Sequence, residues 1–166
     1  MDINNLDSCY IDLVKDIIYD KRFLKLKNCE HHGISRYEHS LKVSYNAYKF
    51  AKKHNLDYKS VAVGGLLHDF FDDTNYGIKQ RIASYFSHPK KAMYNALNQF
   101  DVTEKEKDII KCHMFPVSSS IPKYKESWVV SFYDKVVAVN ELTCNLGYKL
   151  RYVGNLSLLL LFNFIK

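Results

Sequence analysis

Apolar residues recur every three or four positions along most of this chain, which is the spacing of one face of an α-helix. The pattern runs from about 8 to 20, in C-Y-I-D-L-V-K-D-I-I-Y-D, and again from about 36 to 54. Residues 61–71, V-A-V-G-G-L-L-H-D-F-F, are apolar all round and predict a helix buried on every side, with Asp57 or Ser60 as its cap. No segment alternates convincingly and no hairpin turn signal appears. We therefore predict an all-α fold.

Further helices are predicted in the second half of the chain. Ser87 precedes H-P-K-K-A-M-Y-N-A-L and can cap one of them. T-E-K-E, residues 103–106, is a capping box that opens a helix ending near His113. A long helix is predicted from Glu126 to about Gly147. The apolar stretch near the end, L-S-L-L-L-L-F-N-F-I, favours a last core helix or strand over a membrane or partner-binding tail.

The length and composition fit a single domain spanning residues 1–166. Hydrophobic residues make up 47% and charged residues 25%, without a linker, repeat or low-complexity tract, so we expect an ordered chain. The start, M-D-I-N-N-L-D, carries acid where a signal peptide carries base, and no run approaches the length of a membrane span. The four cysteines form no C-x-x-C pair. We expect a cytoplasmic protein with reduced thiols and no membrane partner.

The net charge of +6 comes from 20 lysines and only four arginines, which are scattered along the chain. Nucleic-acid binding usually needs a basic stripe with interleaved aromatic residues, and none is visible, so nucleic acid is not an expected partner. A mildly positive field would attract small anionic molecules, although scattered lysines could equally be a solvated surface. The sequence leaves a homodimer open.

Polar residues on five predicted helices are expected to point into the interior. His39 shares a helical face with Val43 and Ala47. An unpaired carboxylate at Asp134, in V-V-S-F-Y-D-K-V-V-A, would cost several kcal/mol. Each such residue alone could be a hydrogen-bonded core residue, but a divalent cation best offsets so much buried polarity, because neutral imidazoles and carboxylates are its ligands. The set comprises His39, His68, Asp69, His88, His113 and Asp134.

Three segments that contain four of these residues, S-R-Y-E-H-S-L-K-V, L-L-H-D and F-Y-D-K, resemble the HD-domain superfamily of metal-dependent phosphohydrolases. The resemblance runs from about Gly33 to Glu141 and implies an HD-type helical bundle on which the N- and C-terminal helices pack. It also implies hydrolysis of a phosphate ester or anhydride in a small anionic substrate, such as a nucleotide. His88 and His113 resemble the subset of the family that binds two metals.

In that subset, Asp69 would bridge the two ions and be catalytic, and His88 with His113 would complete the second site. The first ion would be held by His39, His68, Asp69 and Asp134. Mixed nitrogen and oxygen ligands favour Fe, Mn, Co, Ni or Zn over Mg. Two such ions can clamp a phosphoryl oxygen and generate hydroxide from bound water. Two alternatives stay open: a di-iron oxygenase, and a regulatory module that binds metal or nucleotide without turnover.

Five further residues are weaker candidates. Arg36 could hold a substrate phosphate or form a surface salt bridge, and Lys135 could touch phosphate. Asp72 and Asp73 would stack above the ligands if their helix continues, as catalytic groups that orient a ligand or a water. They stand in F-F-D-D, where many family members have Gly-Lys, so a lysine-dependent role there is in doubt. Glu141 could line the same cleft or lie on the surface.

Overall fold

The computed structural model describes residues 3–31, 34–72 and 77–164, without the side chains at 4, 30, 31, 78, 81–86, 145 and 148–164. The fold is all-α, as predicted. The α-helices in the described part are α1 (Ser8–Ile18), α2 (Lys21–Leu24), α3 (Arg36–Lys53), α4 (Tyr58–Leu67), α5 (Ile78–Gln99), α6 (Glu104–Cys112) and α7 (Lys125–Phe164). Short 3-10 turns at Ile3–Asn5 and Lys25–Asn28 complete the N-terminal region.

A small pair of strands precedes α3, which the sequence did not predict. β1 (Glu30–His31) pairs antiparallel with β2 (Ile34–Ser35). Each strand has only two residues, too few for an alternating pattern to be visible in the sequence. The Arg36 amide then donates to the Cys29 carbonyl at 2.7 Å, and Ser35 caps α3. The pair therefore fixes where α3 begins.

Helix α4 ends earlier than the sequence predicted. Asp57 caps it by accepting a hydrogen bond from the Ser60 amide, as expected, but its last residue is Leu67. The chain then turns, with the Phe70 amide bonded to the Leu67 carbonyl and the Phe71 amide bonded to the Asp69 carbonyl. The apolar run continued past this end, so periodicity alone did not reveal it.

The predicted start of α5 at Ser87 is wrong, because the helix begins at Ile78 and Ser87 lies in its interior. Gly77 is the N-cap, and its amide donates to the Gln80 side chain. Pro89 sits inside the helix instead of in the first turn. Residues 78–87 contain neither glycine nor proline, so no residue in this segment breaks the helix. The helix therefore continues through Ser87 and ends at Gln99.

The capping box at Thr103 and Glu106 is present, and α6 ends where predicted, with His113 as its C-cap. The predicted end of α7 near Gly147 is wrong, because the helix continues to Phe164. Its backbone therefore includes the apolar C-terminal stretch. The side chains there lie outside the described residues, so their expected place in the core stays a prediction.

The core has two parts. One joins α1 and α2 to the inner faces of α3 and α4, with Tyr10, Phe23 and Leu66 fully or almost fully buried. The second lies among α3, α4, α6 and α7, around Val43 and Ile109. None of the four cysteines, all of which are among the described residues, forms a disulfide. None of the described helices combines the length and apolarity needed to cross a membrane.

Candidate metal centre

All six predicted metal ligands meet at the centre of the bundle, between the two parts of the core. Helices α3, α5 and α7 contribute His39, His88 and Asp134, whereas His68 and Asp69 directly follow α4 and His113 directly follows α6. The three residues after helix ends lie in the tight turns that terminate α4 and α6. The early end of α4 is thus the local structure that delivers the His-Asp pair.

One group of donors lies on the α3 and α7 side. Asp134 Oδ1 is 3.1 Å from His39 Nε2 and 3.6 Å from His68 Nε2. Both histidines are fully buried. These three residues form a cluster whose ligand atoms lie close enough to hold one ion.

The second group lies on the α5 and α6 side. His88 Nε2 and His113 Nε2 are 2.9 Å apart, and Asp69 Oδ1 is 3.3 Å from the first and 3.6 Å from the second. The other oxygen of Asp69, Oδ2, is 3.9 Å from His68 Nε2. The carboxylate of Asp69 therefore stands between the two donor groups, where a bridging ligand would lie.

The donor atoms fit a metal in two respects. His68 Nε2 is buried and has no hydrogen-bond partner among the described residues, although its ring is oriented by Nδ1, which donates to the Gly65 carbonyl at 2.7 Å. The Nε2 atoms of His88 and His113 are 2.9 Å apart, the separation of two nitrogens that bind one ion at about 2.0–2.1 Å with an N–metal–N angle of about 90°. Buried His and Asp donors in this arrangement could hold divalent ions.

Hydrogen bonds behind the ligands fix the orientation of the imidazoles. His39 Nδ1 lies 2.9 Å from Glu141 Oε2, and His113 Nδ1 lies 2.8 Å from the Ile110 carbonyl oxygen. When Nδ1 carries the proton that it donates, Nε2 is left with a lone pair directed at the centre. The Glu141 carboxylate is buried and also accepts a bond from the Lys42 ammonium at 3.3 Å. Its burial behind His39 excludes the surface position considered from the sequence.

The pKa values of two buried histidines, His39 and His113, are shifted in opposite directions. Burial lowers the pKa of His39, but hydrogen bonds to Asp134 and Glu141 outweigh it and raise the pKa to about 9. Burial, reinforced by His68, lowers the pKa of His113 to about 3. Burial raises the pKa of Asp134, yet its hydrogen bond to His39 and its attraction to the nearby His68 imidazole prevail and hold the pKa well below its usual range. His113 and Asp134 are thus in their metal-binding protonation states at neutral pH, whereas His39 must first lose a proton.

Arg36 is buried, which excludes the surface salt bridge considered from the sequence. Its side chain is 3% exposed, Nη1 donates to the Phe71 carbonyl at 3.0 Å, and Nε lies 3.9 Å from Asp69 Oδ2. The guanidinium carbon is 3.9 Å from the centre of the Phe71 ring, and that ring stacks on His88 at 5.2 Å. The positive charge of Arg36 therefore lies beside the Asp69 carboxylate. The predicted contact of Arg36 with a phosphate stays a prediction.

The ammonium of Lys135 bonds to backbone at the end of α6. Nζ donates to the His113 carbonyl at 2.8 Å, to the Ser131 carbonyl at 2.9 Å and to Ser131 Oγ at 3.0 Å, which uses all three N–H groups. Burial lowers the pKa of Lys135. In this conformation the lysine anchors His113 to α7, and a contact with phosphate would require one of these bonds to break.

Asp72 does not stack above the ligands as it would on a continuous helix, because α4 ends at Leu67. Its side chain is exposed and accepts a weak bond from the Cys29 thiol at 3.6 Å. Its catalytic role stays a prediction. Asp73 lies outside the described residues.

Comparison with models of protein families identifies the family of this chain. The family model of the HD domain matches residues 36–139, which is more than half of the 166 residues. Searches of curated proteins and of solved structures gave no match. The family match covers all six candidate ligands and ends two residues before Glu141. This chain belongs to the HD domain family.

Proposed function

We propose that this protein is a metal-dependent phosphohydrolase that cleaves a phosphate ester or anhydride in a small anionic substrate such as a nucleotide. The observation that carries the proposal is the position of Asp69, whose carboxylate lies between His68 on one side and the His88–His113 pair on the other. A centre for a single ion would not need that second pair of imidazoles. The HD domain family consists mostly of metal-dependent hydrolases.

The residues that would hold the metals follow from the two donor groups. His39, His68, Asp69 and Asp134 would hold one ion, and Asp69 with His88 and His113 would hold the other. Their mixed nitrogen and oxygen donors favour Fe, Mn, Co, Ni or Zn. When bound, two such ions supply Lewis acidity toward a phosphoryl oxygen and a water that ionises near neutral pH.

The surrounding residues support this chemistry by fixing charge and orientation. Glu141 and the Ile110 carbonyl hold two of the imidazoles with Nε2 facing the centre. The Arg36 guanidinium, 3.9 Å from Asp69, offsets part of the carboxylate charge. Since Phe71 and Arg36 are both buried, the Asp69 side of the centre is largely shielded from water, which strengthens electrostatic contacts there.

An open cavity of about 490 Å³ lies beside Phe71. Asp72, Lys90, Lys91, Tyr94 and Asn95 complete its lining. Its volume is in the range of small-molecule sites, and it offers two lysines and an exposed tyrosine ring. Phe71, which packs on His88, separates this cavity from the metal ligands.

The proposal is tested by measuring metal content and phosphate release together. Purified protein reconstituted with Mn²⁺ or Zn²⁺ under strictly anaerobic conditions should bind close to two ions per chain and release phosphate from a member of a nucleotide and phosphate-ester panel. Asp69→Ala should abolish both, since this carboxylate serves both donor groups. The matched control is Asp108→Asn, which alters a buried carboxylate that bonds to Ser127 and Lys123 outside the centre. It should retain metal and activity after correction for folded protein.

The same measurements discriminate the alternatives. Oxygen uptake that requires reduced iron, with no turnover in anaerobic Mn²⁺, would replace the hydrolase with a di-iron oxygenase. Two bound ions without turnover on any substrate would indicate a regulatory module. Phosphate release from stripped wild type, or from Asp69→Ala, at the rate of metal-loaded wild type would reject the metal-dependent mechanism.

A further inference from the structure

Helix α7 has an apolar face on the side that points away from the bundle. Its inward face carries Val130, Asp134, Val137 and Glu141, which contact the core or the metal ligands. The opposite face carries large apolar side chains that are 47–61% exposed, namely Trp128, Phe132, Val139, Leu142 and Leu146. The solvent face of a surface helix is normally polar. We name these five residues, together with Lys135 between them, the α7 stripe.

The spacing of the α7 stripe is that of a helix-packing seam. Successive members are separated by four, three, four, three and four residues, which is the alternation of the core positions in a coiled coil. Lys135 occupies the third position, and its ammonium bonds to backbone carbonyls of Ser131 and His113. A partner that fits such a seam is itself an α-helix with apolar residues at the same spacing.

The order of residues in the α7 stripe makes it complementary to itself in the antiparallel direction. Pairing two copies about a two-fold axis at the middle of the stripe places Trp128 opposite Leu146, Phe132 opposite Leu142, and Lys135 opposite Val139. A parallel pairing in register would instead place Lys135 opposite Lys135, and large rings opposite large rings. A two-fold interface uses the same patch on both copies, which this sequence of side chains provides.

The size of the α7 stripe sets the strength of association that we expect. From Trp128 to Leu146 it covers about 27 Å of helix, and its half-exposed apolar side chains would bury on the order of 400–500 Å² per copy. That is below the roughly 800 Å² per partner of a standard stable interface. A reversible dimer with a dissociation constant on the micromolar scale is expected.

We propose that two copies of this chain associate through the α7 stripe as an antiparallel helix pair. The proposal does not depend on the catalytic function. Sedimentation equilibrium or light scattering of the full chain, over a concentration series from low to high micromolar, should show a monomer–dimer equilibrium. A single-chain mass throughout the series would overturn the proposal.

Charge substitutions test the direction of pairing. Phe132→Lys and Leu142→Glu should each raise the dissociation constant by about tenfold or more, because each places an unpaired charge opposite an apolar side chain. Matched controls are Asn140→Lys and Asn140→Glu, which add the same charges at an exposed position of α7 away from the stripe. The controls should associate like wild type, and all four variants should keep the helical content of wild type by circular dichroism.

Mixing the two stripe variants then provides the decisive measurement. In the antiparallel pair, the lysine introduced by Phe132→Lys in one chain would face the glutamate introduced by Leu142→Glu in the other. The unchanged Leu142 of the first chain and Phe132 of the second would still pair as in wild type. The mixture should therefore form heterodimers at least tenfold more strongly than either variant forms homodimers. Association of the mixture no stronger than that of the separate variants, or equal loss in the two controls, would reject this pairing.

Discussion

At the scale of single residues, Glu141 orients a candidate metal ligand, a role that the sequence did not predict. Its carboxylate accepts a hydrogen bond from the Nδ1–H group of His39 and so directs Nε2 toward Asp134 and the centre. Glu141→Ala should lower metal affinity by about 10–100-fold, as is usual when the carboxylate behind a ligand histidine is removed. Glu141→Gln, which keeps an acceptor oxygen, should lose less.

Competition between the protein and a chromophoric chelator for Co²⁺ measures this effect. Glu104→Ala is the control, since that glutamate is exposed and pairs with Lys107 on the surface of α6. Affinities of Glu141→Ala and Glu104→Ala that agree within error would remove Glu141 from the support of the centre.

Phe71 packs against two residues of the candidate centre, Arg36 and His88. The ring lies between the Arg36 guanidinium and the His88 imidazole. Phe71→Leu should weaken binding of the second ion by letting His88 and Arg36 turn, whereas Phe71→Tyr should retain it because the ring is kept. Phe70→Leu is a matched control, since Phe70 is also buried but packs on Phe23 and Phe100.

Calorimetric titration with Mn²⁺ gives the stoichiometry and affinity of each variant. We expect Phe71→Leu to bind the second ion at least several-fold more weakly than Phe70→Leu, although both lose core packing. Equal metal binding by the two leucine variants would show that the stack contributes only to stability.

The site residues differ in how far the sequence alone could identify them. An ordered series of histidines and aspartates on successive helices, or directly after them, is visible in the sequence and comprises His39, His68, Asp69, His88, His113 and Asp134. Glu141 is a single glutamate two helical turns after Asp134, a spacing shared by many surface residues, so only its contact with His39 distinguishes it. The burial of Arg36 depends on the turn after α4, which the sequence did not predict.

At the scale of secondary-structure elements, the close approach of α3 and α4 depends on Gly65. A Cβ added to Gly65 would lie 3.0 Å from the Ser44 Cα, which is backbone and cannot move aside easily. Gly65→Ala should destabilise the fold by about 1–3 kcal/mol through overpacking. Its carbonyl also orients His68, so the metal ligand should be displaced as well.

The control for this prediction is Gly147→Ala in α7. A Cβ there would meet no atom within 4 Å, so the substitution should stabilise the helix by about 0.5–1 kcal/mol. Chemical denaturation of the two variants, followed by circular dichroism, measures both changes. Equal effects of the same sign would show that the close contact with α3 does not limit the fold.

The ends of the helices show what sequence patterns can and cannot predict. Caps with a side-chain signal, at Asp57 and at Thr103, lie where the sequence indicates. The end of α4 had no breaker or cap residue, and its turn is held by backbone bonds and by the packing of Phe70 and Phe71. Such an end depends on tertiary contacts, which local patterns do not contain.

At the scale of the whole molecule, the centre joins all the large helices of the family domain. Donors from α3, α5 and α7, and from the turns after α4 and α6, meet within a few ångströms, so an ion bound there links elements that are distant in sequence. Metal binding should therefore raise the unfolding temperature of the entire bundle, as for any ligand that binds only the native state.

The size of that stabilisation should depend on pH because His39 holds a proton in the stripped protein. Hydrogen bonds to Asp134 and Glu141, which outweigh burial, raise the pKa of His39 from 6.5 to about 9. In the stripped protein this imidazolium contributes stability that is fully present below pH 6.5 and is lost as the pH rises through about 9. A metal must displace the Nε2 proton, so its apparent affinity rises over the same range. The pKa of His113 is lowered to about 3 by burial, so that residue binds without losing a proton.

We therefore expect the difference in unfolding temperature between Mn²⁺-loaded and stripped protein to increase from pH 6.5 to about 9. Differential scanning fluorimetry at constant free Mn²⁺ measures it. Glu141→Gln removes one of the two carboxylates bonded to His39, which lowers the pKa of His39, so the increase should occur at lower pH in that variant. A difference that stays constant with pH in wild type, or an identical profile in Glu141→Gln, would show that His39 does not release a proton when the metal binds.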